Sequence, residues 1–267
     1  MSANGNLSNS DILGEDPAGT QPIMDAAMLA AMLDHTLLKP QATPAQVIKL
    51  CEEARYYRFA TVCVNPVHVK LCLSQLATTE KPKVQVCTVV GFPLGANVEA
   101  IKVSEAQTAL NHGAKEIDMV INIGALKAGD FFLVQREIAN VASHCHTSRA
   151  ICKVIIEASL LDDDEKIKAC ELAREAGADF VKTSTGWEGG ATLEDVILMR
   201  RTVGSKMGVK AAGGIRSLSD ALRMIEAGAT RLGTSSSVKI MKEFFASQEE
   251  GGEDASKAVA NTNEGGY

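Results

Sequence analysis

Three lysines stand where lysine is costly. Lys153, Lys182 and Lys210 each occupy a short run that is otherwise apolar or small: Lys153-Val154-Ile155-Ile156, Phe180-Val181-Lys182 and Val209-Lys210-Ala211. A charge in a strand buried on both faces costs free energy unless it is paired or functional. Lys182 and Lys210 are expected at the C-terminal ends of neighbouring strands, which would bring both side chains into one mouth. Two ammonium groups held close together destabilise each other. One of them falls from the ordinary value of about 10.4 toward neutrality and becomes a nucleophile. A neutral lysine amine can add to a carbonyl and form a Schiff base. The rival reading is two unrelated lysines, each paired with a carboxylate.

Acids stand in similar surroundings. Asp118 is expected to end the strand in Glu116-Ile117-Asp118-Met119-Val120-Ile121, and Asp34 to follow the first strand in Leu33-Asp34-His35-Thr36. An acid inside an apolar strand can relay protons beside a Schiff base. It can equally be a structural partner of Lys153, and Asp118 can serve both purposes. Three glycine-containing segments follow the last expected strands: Thr185-Gly186, Gly213-Gly214-Ile215-Arg216 and Gly233-Thr234-Ser235-Ser236. Glycine lets backbone N–H groups approach an anion, and a helix N-terminus attracts one. These segments are candidate phosphate sites. Metal ligands are poorly supported. The one compact cluster, His144-Cys145-His146, falls at the end of a helical stretch away from the mouth, and His35, His68 and His112 share no ligand spacing. No metal and no cofactor are expected.

Such side chains need a scaffold that aims strand ends at one point. Eight β-prone runs recur at βα-unit spacing: Ala31–Leu33, Phe59–Val64, Val84–Val90, Glu116–Ile121, Ala150–Ile156, Asp179–Lys182, Gly208–Ala211 and Thr230–Gly233. Helical patterns lie between them. Thr43-Pro44-Ala45-Gln46 reads as an N-cap with proline at the first helical position, and Asp163–Ala176 and Thr192–Val203 are further helices. Gly113, Gly177 and Gly228, each in a Gly-Ala pair, suit helix termini with φ > 0. Each precedes by five residues a polar or glycine residue: Asp118, Lys182 and Gly233. Near-continuous apolar strands argue for a parallel sheet covered on both faces. The expected fold is α/β, a single (β/α)₈ barrel over residues 23–247, with polar, glycine-rich tails at 1–22 and 248–267. An open doubly wound sheet is the alternative, but no GxGxxG loop follows the first strand.

Composition narrows the function. The chain has 267 residues, 46% hydrophobic and 22% charged, which excludes disorder along its whole length. No window reaches the roughly 18 consecutive apolar residues of a membrane span, so no membrane partner is expected. The formal net charge of -6 lacks the basic footprint of phosphate-backbone binding, which argues against nucleic acid. Seven cysteines with no CxxC pair, several inside apolar runs, read as a reducing compartment. The N-terminus has no basic region and no apolar stretch of a signal peptide, so a cytoplasmic protein is expected. The partners are small molecules. An assembly of like chains is compatible with the sequence, which does not fix the oligomeric state.

The segments Leu33-Asp34-His35-Thr36-Leu37-Leu38, Ala60-Thr61-Val62-Cys63-Val64-Asn65-Pro66, Val90-Gly91-Phe92-Pro93-Leu94-Gly95, Glu116-Ile117-Asp118-Met119-Val120, Lys153-Val154-Ile155-Ile156-Glu157, Val181-Lys182-Thr183-Ser184-Thr185-Gly186 and Lys210-Ala211-Ala212-Gly213-Gly214-Ile215-Arg216 together resemble the deoxyribose-phosphate aldolase family. The match runs in order from about residue 33 to 237. The resemblance implies a metal-independent, Schiff-base lyase that reversibly cleaves 2-deoxy-D-ribose 5-phosphate to D-glyceraldehyde 3-phosphate and acetaldehyde. It makes Lys182 the Schiff-base lysine, Lys210 the lysine that lowers its pKa, and Asp118 the proton-relay acid. Asp34 would hydrogen-bond the substrate or the lysine pair, with Lys153 in support. Gly186, Gly213, Gly214, Gly233, Ser235 and Ser236 would hold the phosphate. Members of this family can also end in a tyrosine that enters the site, which draws attention to Tyr267. Two rivals remain: another Schiff-base sugar-phosphate aldolase on the same barrel, and a catalytically silent sugar-phosphate sensor.

Overall fold

Every strand of the computed structural model pairs in parallel with the next, and the last closes on the first. The structure describes residues 24–77 and 83–248. The strands are β1 (Leu33–Leu37), β2 (Thr61–Val64), β3 (Gln85–Val90), β4 (Glu116–Val120), β5 (Ile151–Ile155), β6 (Phe180–Lys182), β7 (Gly208–Ala212) and β8 (Arg231–Thr234). The main helices between them are α2 (Pro44–Tyr57), α3 (Val69–Gln75), α4 (Glu99–Asn111), α6 (Phe131–Thr147), α7 (Asp163–Glu175), α8 (Leu193–Val203) and α9 (Leu218–Glu226). The shorter α1 (Ala26–Ala31) and α5 (Ile123–Lys127) complete the set, and a further helix runs over 237–248. This is the expected (β/α)₈ barrel.

Local chemistry sets the boundaries. Thr43 caps α2 in a reciprocal box with Gln46, with Pro44 at the first helical position. Asp162 caps α7 in the same way with Glu165. Gly113, Gly177 and Gly228 all take positive φ after their helices, as the Gly-Ala repeat predicts. The first strand differs from expectation. Ala31–Leu33 is not a strand: Asp25 caps α1 through Ala31, and β1 begins at Leu33. Asp34 therefore lies inside β1, not after it. Asp118 and Lys210 likewise sit in the middle of β4 and β7, not at their ends. A barrel interior accepts polar side chains at alternate positions. Hydrophobicity alone thus misplaces strand limits wherever the inward residues are charged.

Two apolar environments follow. The main core lies between the barrel and its helices, where outward residues such as Ile117, Val154, Val181 and Leu232 meet helix residues such as Val47, Ile138 and Met199. A much smaller cluster of Cys63, Cys87 and Val89 forms separately. All seven cysteines are free and buried. Among the described residues no helix is long and apolar enough to cross a membrane.

Candidate active site

Strand register assembles the charged residues. Lys182 pairs with Lys210 across β6 and β7, Lys210 with Arg231 across β7 and β8, and Asp118 with Lys153 across β4 and β5. Paired residues in a parallel ladder point to the same face, so one inward-facing lysine predicts the others. Asp118 is the hub. Its Oδ2 accepts from Lys182 Nζ at 2.8 Å and from Lys210 Nζ at 2.7 Å, and its Oδ1 accepts from Lys153 Nζ at 2.8 Å. The Lys182 and Lys210 nitrogens are thus within about 5.5 Å of each other, the two bonds laid end to end. Lys210 also donates to Asp34 Oδ2 at 2.5 Å. All five side chains are essentially removed from solvent; Lys182, at 3% exposure, is the one that reaches the surface of a cavity.

Burial by itself would drive these groups neutral. For Asp118 it would raise the carboxyl, but Lys153, Lys182 and Lys210 outweigh it and hold the pKa well below the carboxylate range. Asp34 is likewise held low against burial by Lys210, Lys153 and Arg231. Burial would lower Lys210, but Asp118 and Asp34 outweigh it and hold the ammonium above its ordinary value. In this resting arrangement Lys210 carries a positive charge and Asp118 a negative one. Asp118 pairs with Lys153 and also touches both members of the Lys182–Lys210 pair.

Lys182 opens into a cavity of about 450 Å³, within the usual size of a small-ligand site. Gly186, Gly213, Gly214, Gly233 and Ser235 line it, together with Thr36–Gln41, Trp187 and Arg216. Gly213 and Gly214 have φ of +85° and +82°, a region L residues avoid. A Cβ on Gly213 would also come within 2.9 Å of Gly190 Cα. Gly233 has a further duty: a Cβ there would stand 3.0 Å from Lys210 Cε, so its absence makes room for that lysine. Ser236 does not line the cavity, and its amide donates to Thr234 Oγ1 at 2.9 Å.

The chain aligns with the DeoC/LacD family aldolase model over residues 28–243. The chain belongs to the DeoC/LacD aldolase family. The deoxyribose-phosphate aldolase of Thermococcus gammatolerans is 59% identical over 215 residues, covering 80% of this chain and 95% of that protein. That of Carboxydothermus hydrogenoformans is 57% identical over 223 residues, covering 82% and 96%. Among solved structures, the deoxyribose phosphate aldolase of Aeropyrum pernix, described as a unique tetramer, superposes with a TM-score of 0.75 at 40% identity, covering 82% of this chain and 92% of that one.

Several residues of this aldolase were hidden in its sequence. Lys39 and Trp187 border the cavity, beside Arg216 of the glycine segment already singled out. Lys39 and Trp187 are loop residues with no pattern to flag them. Arg231 opens β8 and joins the charge cluster through Asp34 and Glu116. Its signal was available: it lies two residues before Gly233, on the same face. Glu157 adopts a left-handed backbone (φ 53°) at the end of β5, and its carboxylate accepts from the Thr185 amide at 3.1 Å. Its carboxyl is pushed up by burial. Such strain at a non-glycine residue marks a site shaped by its neighbours; here it ties the β6–α8 loop to β5.

The remaining candidates separate from this cavity. His144 and His146 sit in the last turn of α6. His144 Nδ1 bonds to the Asn140 carbonyl at 2.8 Å and His146 Nε2 to Asp179 at 3.1 Å, so the two do not converge on one point. Among the described residues two buried sets have the spacing of metal ligands: Cys63, Cys87 and Asp118, and Asp34, Cys87 and Glu116. The Lys153 ammonium already contacts Glu116, Asp118 and Cys87 there, at 2.5, 2.8 and 3.2 Å. A groove of about 670 Å³ between α4 and α6 is larger than the Lys182 cavity but contains no lysine. Tyr267 lies outside the described residues, as do the tails expected at 1–22 and 248–267 apart from Gln248.

Proposed function

We propose that this chain is a deoxyribose-phosphate aldolase that forms its Schiff base on Lys182. The observation that carries the reading is the sharing of one oxygen, Asp118 Oδ2, by Lys182 and Lys210 at the floor of a glycine-rimmed cavity. Lys210 stands beside Lys182 across Asp118, and the unprotonated Lys182 amine is the attacking form. The amine adds to the aldehyde carbon of open-chain 2-deoxy-D-ribose 5-phosphate, and water leaves to give a protonated imine. The C3 hydroxyl then loses its proton, the C2–C3 bond breaks, and its electron pair moves into the imine. D-Glyceraldehyde 3-phosphate departs. The enamine left on Lys182 is protonated at C2, and water hydrolyses the imine to release acetaldehyde.

Asp118 carries the proton traffic. With Lys182 neutral it has two cationic partners instead of three, Lys153 and Lys210, and so becomes a better base. A bridging water links it to the C3 hydroxyl. Asp34 and Lys153 keep Lys210 and Asp118 in place. The phosphate rests against the backbone at Gly186, Gly213, Gly214 and Gly233 and at Ser235, just before the last helix, whose N-terminus favours an anion. Lys39 and Arg216 add positive charge at that rim. No step calls for a metal or cofactor. By likeness to the tetrameric Aeropyrum relative, the chain assembles with copies of itself. Acetaldehyde and borohydride should place one adduct on the peptide containing Lys182, and Lys182→Ala should abolish both adduct and cleavage. An adduct on another lysine would refute the assignment.

A further inference from the structure

The barrel interior contains a closed ring of alternating charge. Glu116 Oε2 accepts from Arg231 Nη1 at 3.0 Å, and the same Nη1 donates to Asp34 Oδ1 at 2.7 Å. Asp34 Oδ2 meets Lys210 at 2.5 Å, Lys210 meets Asp118 Oδ2 at 2.7 Å, and Asp118 Oδ1 meets Lys153 at 2.8 Å. Lys153 returns to Glu116 Oε2 at 2.5 Å. Glu116, Arg231, Asp34, Lys210, Asp118 and Lys153 thus form a six-membered circuit of three carboxylates and three cations. Glu116 and Asp118 each have two cationic neighbours in it, Asp34 has a third in Lys153 at 3.7 Å, and the formal charge of the ring is zero. Lys182 hangs from it by one bond, to Asp118. A proton on Lys182 is therefore the one unbalanced charge of the cluster.

Position divides the ring. Glu116 opens β4 and Arg231 opens β8, at the strand ends away from the mouth, whereas Lys182 closes β6 at the mouth. Arg231 stacks over the Phe180 ring there, and neither Arg231 nor Glu116 lines the substrate cavity. The neighbouring titratable groups come from every strand. Around Lys182 stand Asp118 of β4, Lys210 of β7, Cys63 of β2 and Glu157 after β5. Around Lys153 stand Cys87 of β3 and Asp34 of β1. Burial pushes the Cys87 thiol up, whereas its hydrogen bond to Cys87 draws the Cys63 thiol down. Glu157 is outside the ring, with both oxygens turned to the Thr185 amide.

We infer that Arg231 and Glu116 are positioning residues that, from the far end of this ring, set whether Lys182 holds its proton. The inference rests on the reading of Lys182 as the attacking amine. Low dielectric carries the effect, because a charge deleted from a dry, hydrogen-bonded circuit is poorly screened. Glu116→Gln leaves the ring with an excess positive charge, which repels a proton on Lys182. Arg231→Met leaves an excess negative charge, which attracts one. The two substitutions must act in opposite directions, and together they restore a neutral ring. A pair that merely plugs the barrel bottom would instead lose function in both variants alike.

The test follows the rate of Lys182 adduct formation with acetaldehyde, trapped by cyanoborohydride, as a function of pH. Acetaldehyde has no titrating group of its own, so the midpoint reports the protein. At an effective dielectric of about 20 and a separation of roughly 10 Å, one unit charge moves the midpoint by about one pH unit. Glu116→Gln should move it to lower pH and Arg231→Met to higher pH. The double variant should return to within a few tenths of the unsubstituted protein, and Arg231→Lys, which keeps the charge, should also stay there. Shifts of the same sign, no shift, or a double variant displaced further than either single one would overturn the inference while leaving Lys182 as the nucleophile. An adduct on another lysine in the unsubstituted protein would overturn the nucleophile assignment and this inference with it.

Discussion

Asp118→Asn should cost both stability and rate, by separable amounts. The amide cannot serve three ammonium groups. If its oxygen faces Lys182 and Lys210, its NH₂ points at Lys153, and the reverse placement opposes two donors. Removing one partner of a buried ion pair typically costs about 3–5 kcal/mol. The lower part of that range applies here, because Lys153 keeps Glu116 and Lys210 keeps Asp34, each at 2.5 Å. About 3 kcal/mol in a domain of this size lowers Tm by roughly 6–12 °C. The pH dependence has a definite sign. Asp118 is held well below its unfolded value of about 3.9. Its stabilisation is therefore complete above that value and is lost as the solution is acidified through the lower folded value. The Tm gap between native and variant protein should be full at neutral pH and shrink below about pH 4. Loss of the proton relay should lower kcat by about 10²–10⁴. Differential scanning calorimetry across pH, alongside steady-state kinetics, measures both. A stability gap under about 1 kcal/mol at neutral pH, or one that widens in acid, would refute the account of Asp118 as the hub of the cluster.

Gly214→Ala meets nothing within 4 Å and should cost only the left-handed backbone penalty, about 1–2 kcal/mol, whereas Gly213→Ala must also displace Gly190; urea titration and KM for the phosphorylated sugar should both rank Gly213→Ala as the worse. Ser235→Asp places a carboxylate at the phosphate rim and should raise KM for the phosphorylated sugar at least tenfold while changing that for an unphosphorylated aldehyde much less; equal effects would make the loop structural. Exhaustive chelation with EDTA should leave turnover unchanged, because Lys153 already engages the carboxylates and thiol that could bind an ion; loss on chelation and recovery with zinc would overturn this. Glu137→Gln should destabilise by about 3 kcal/mol at neutral pH, since it strips Lys102, fully buried at 2.7 Å, of its charged partner. Burial draws Lys102 below its ordinary value, so that penalty should diminish in alkali as the amine becomes neutral.

The sequence by itself determined the barrel and singled out Lys182 and Lys210. Eight β-prone runs at βα spacing, with glycine after the helices, leave a closed parallel sheet as the economical arrangement, because period and turn chemistry are local properties. Lys182 and Lys210 were legible for the same local reason: a cation in an apolar strand is conspicuous. What lay across the barrel was not. Asp34 read as a loop residue because its strand carries polar side chains inward, and only closure of β8 on β1 gives those side chains an enclosed interior. Arg231 and Glu116 read as ordinary strand ends, since no spacing in the chain reveals that residues 115 positions apart share a bond. Gly233 read as a phosphate glycine, yet it also clears space for the Lys210 side chain. Local pattern fixes which residues face inward. Which carboxylate meets which lysine depends on strand register and barrel closure, and those are set by the packing of the whole chain.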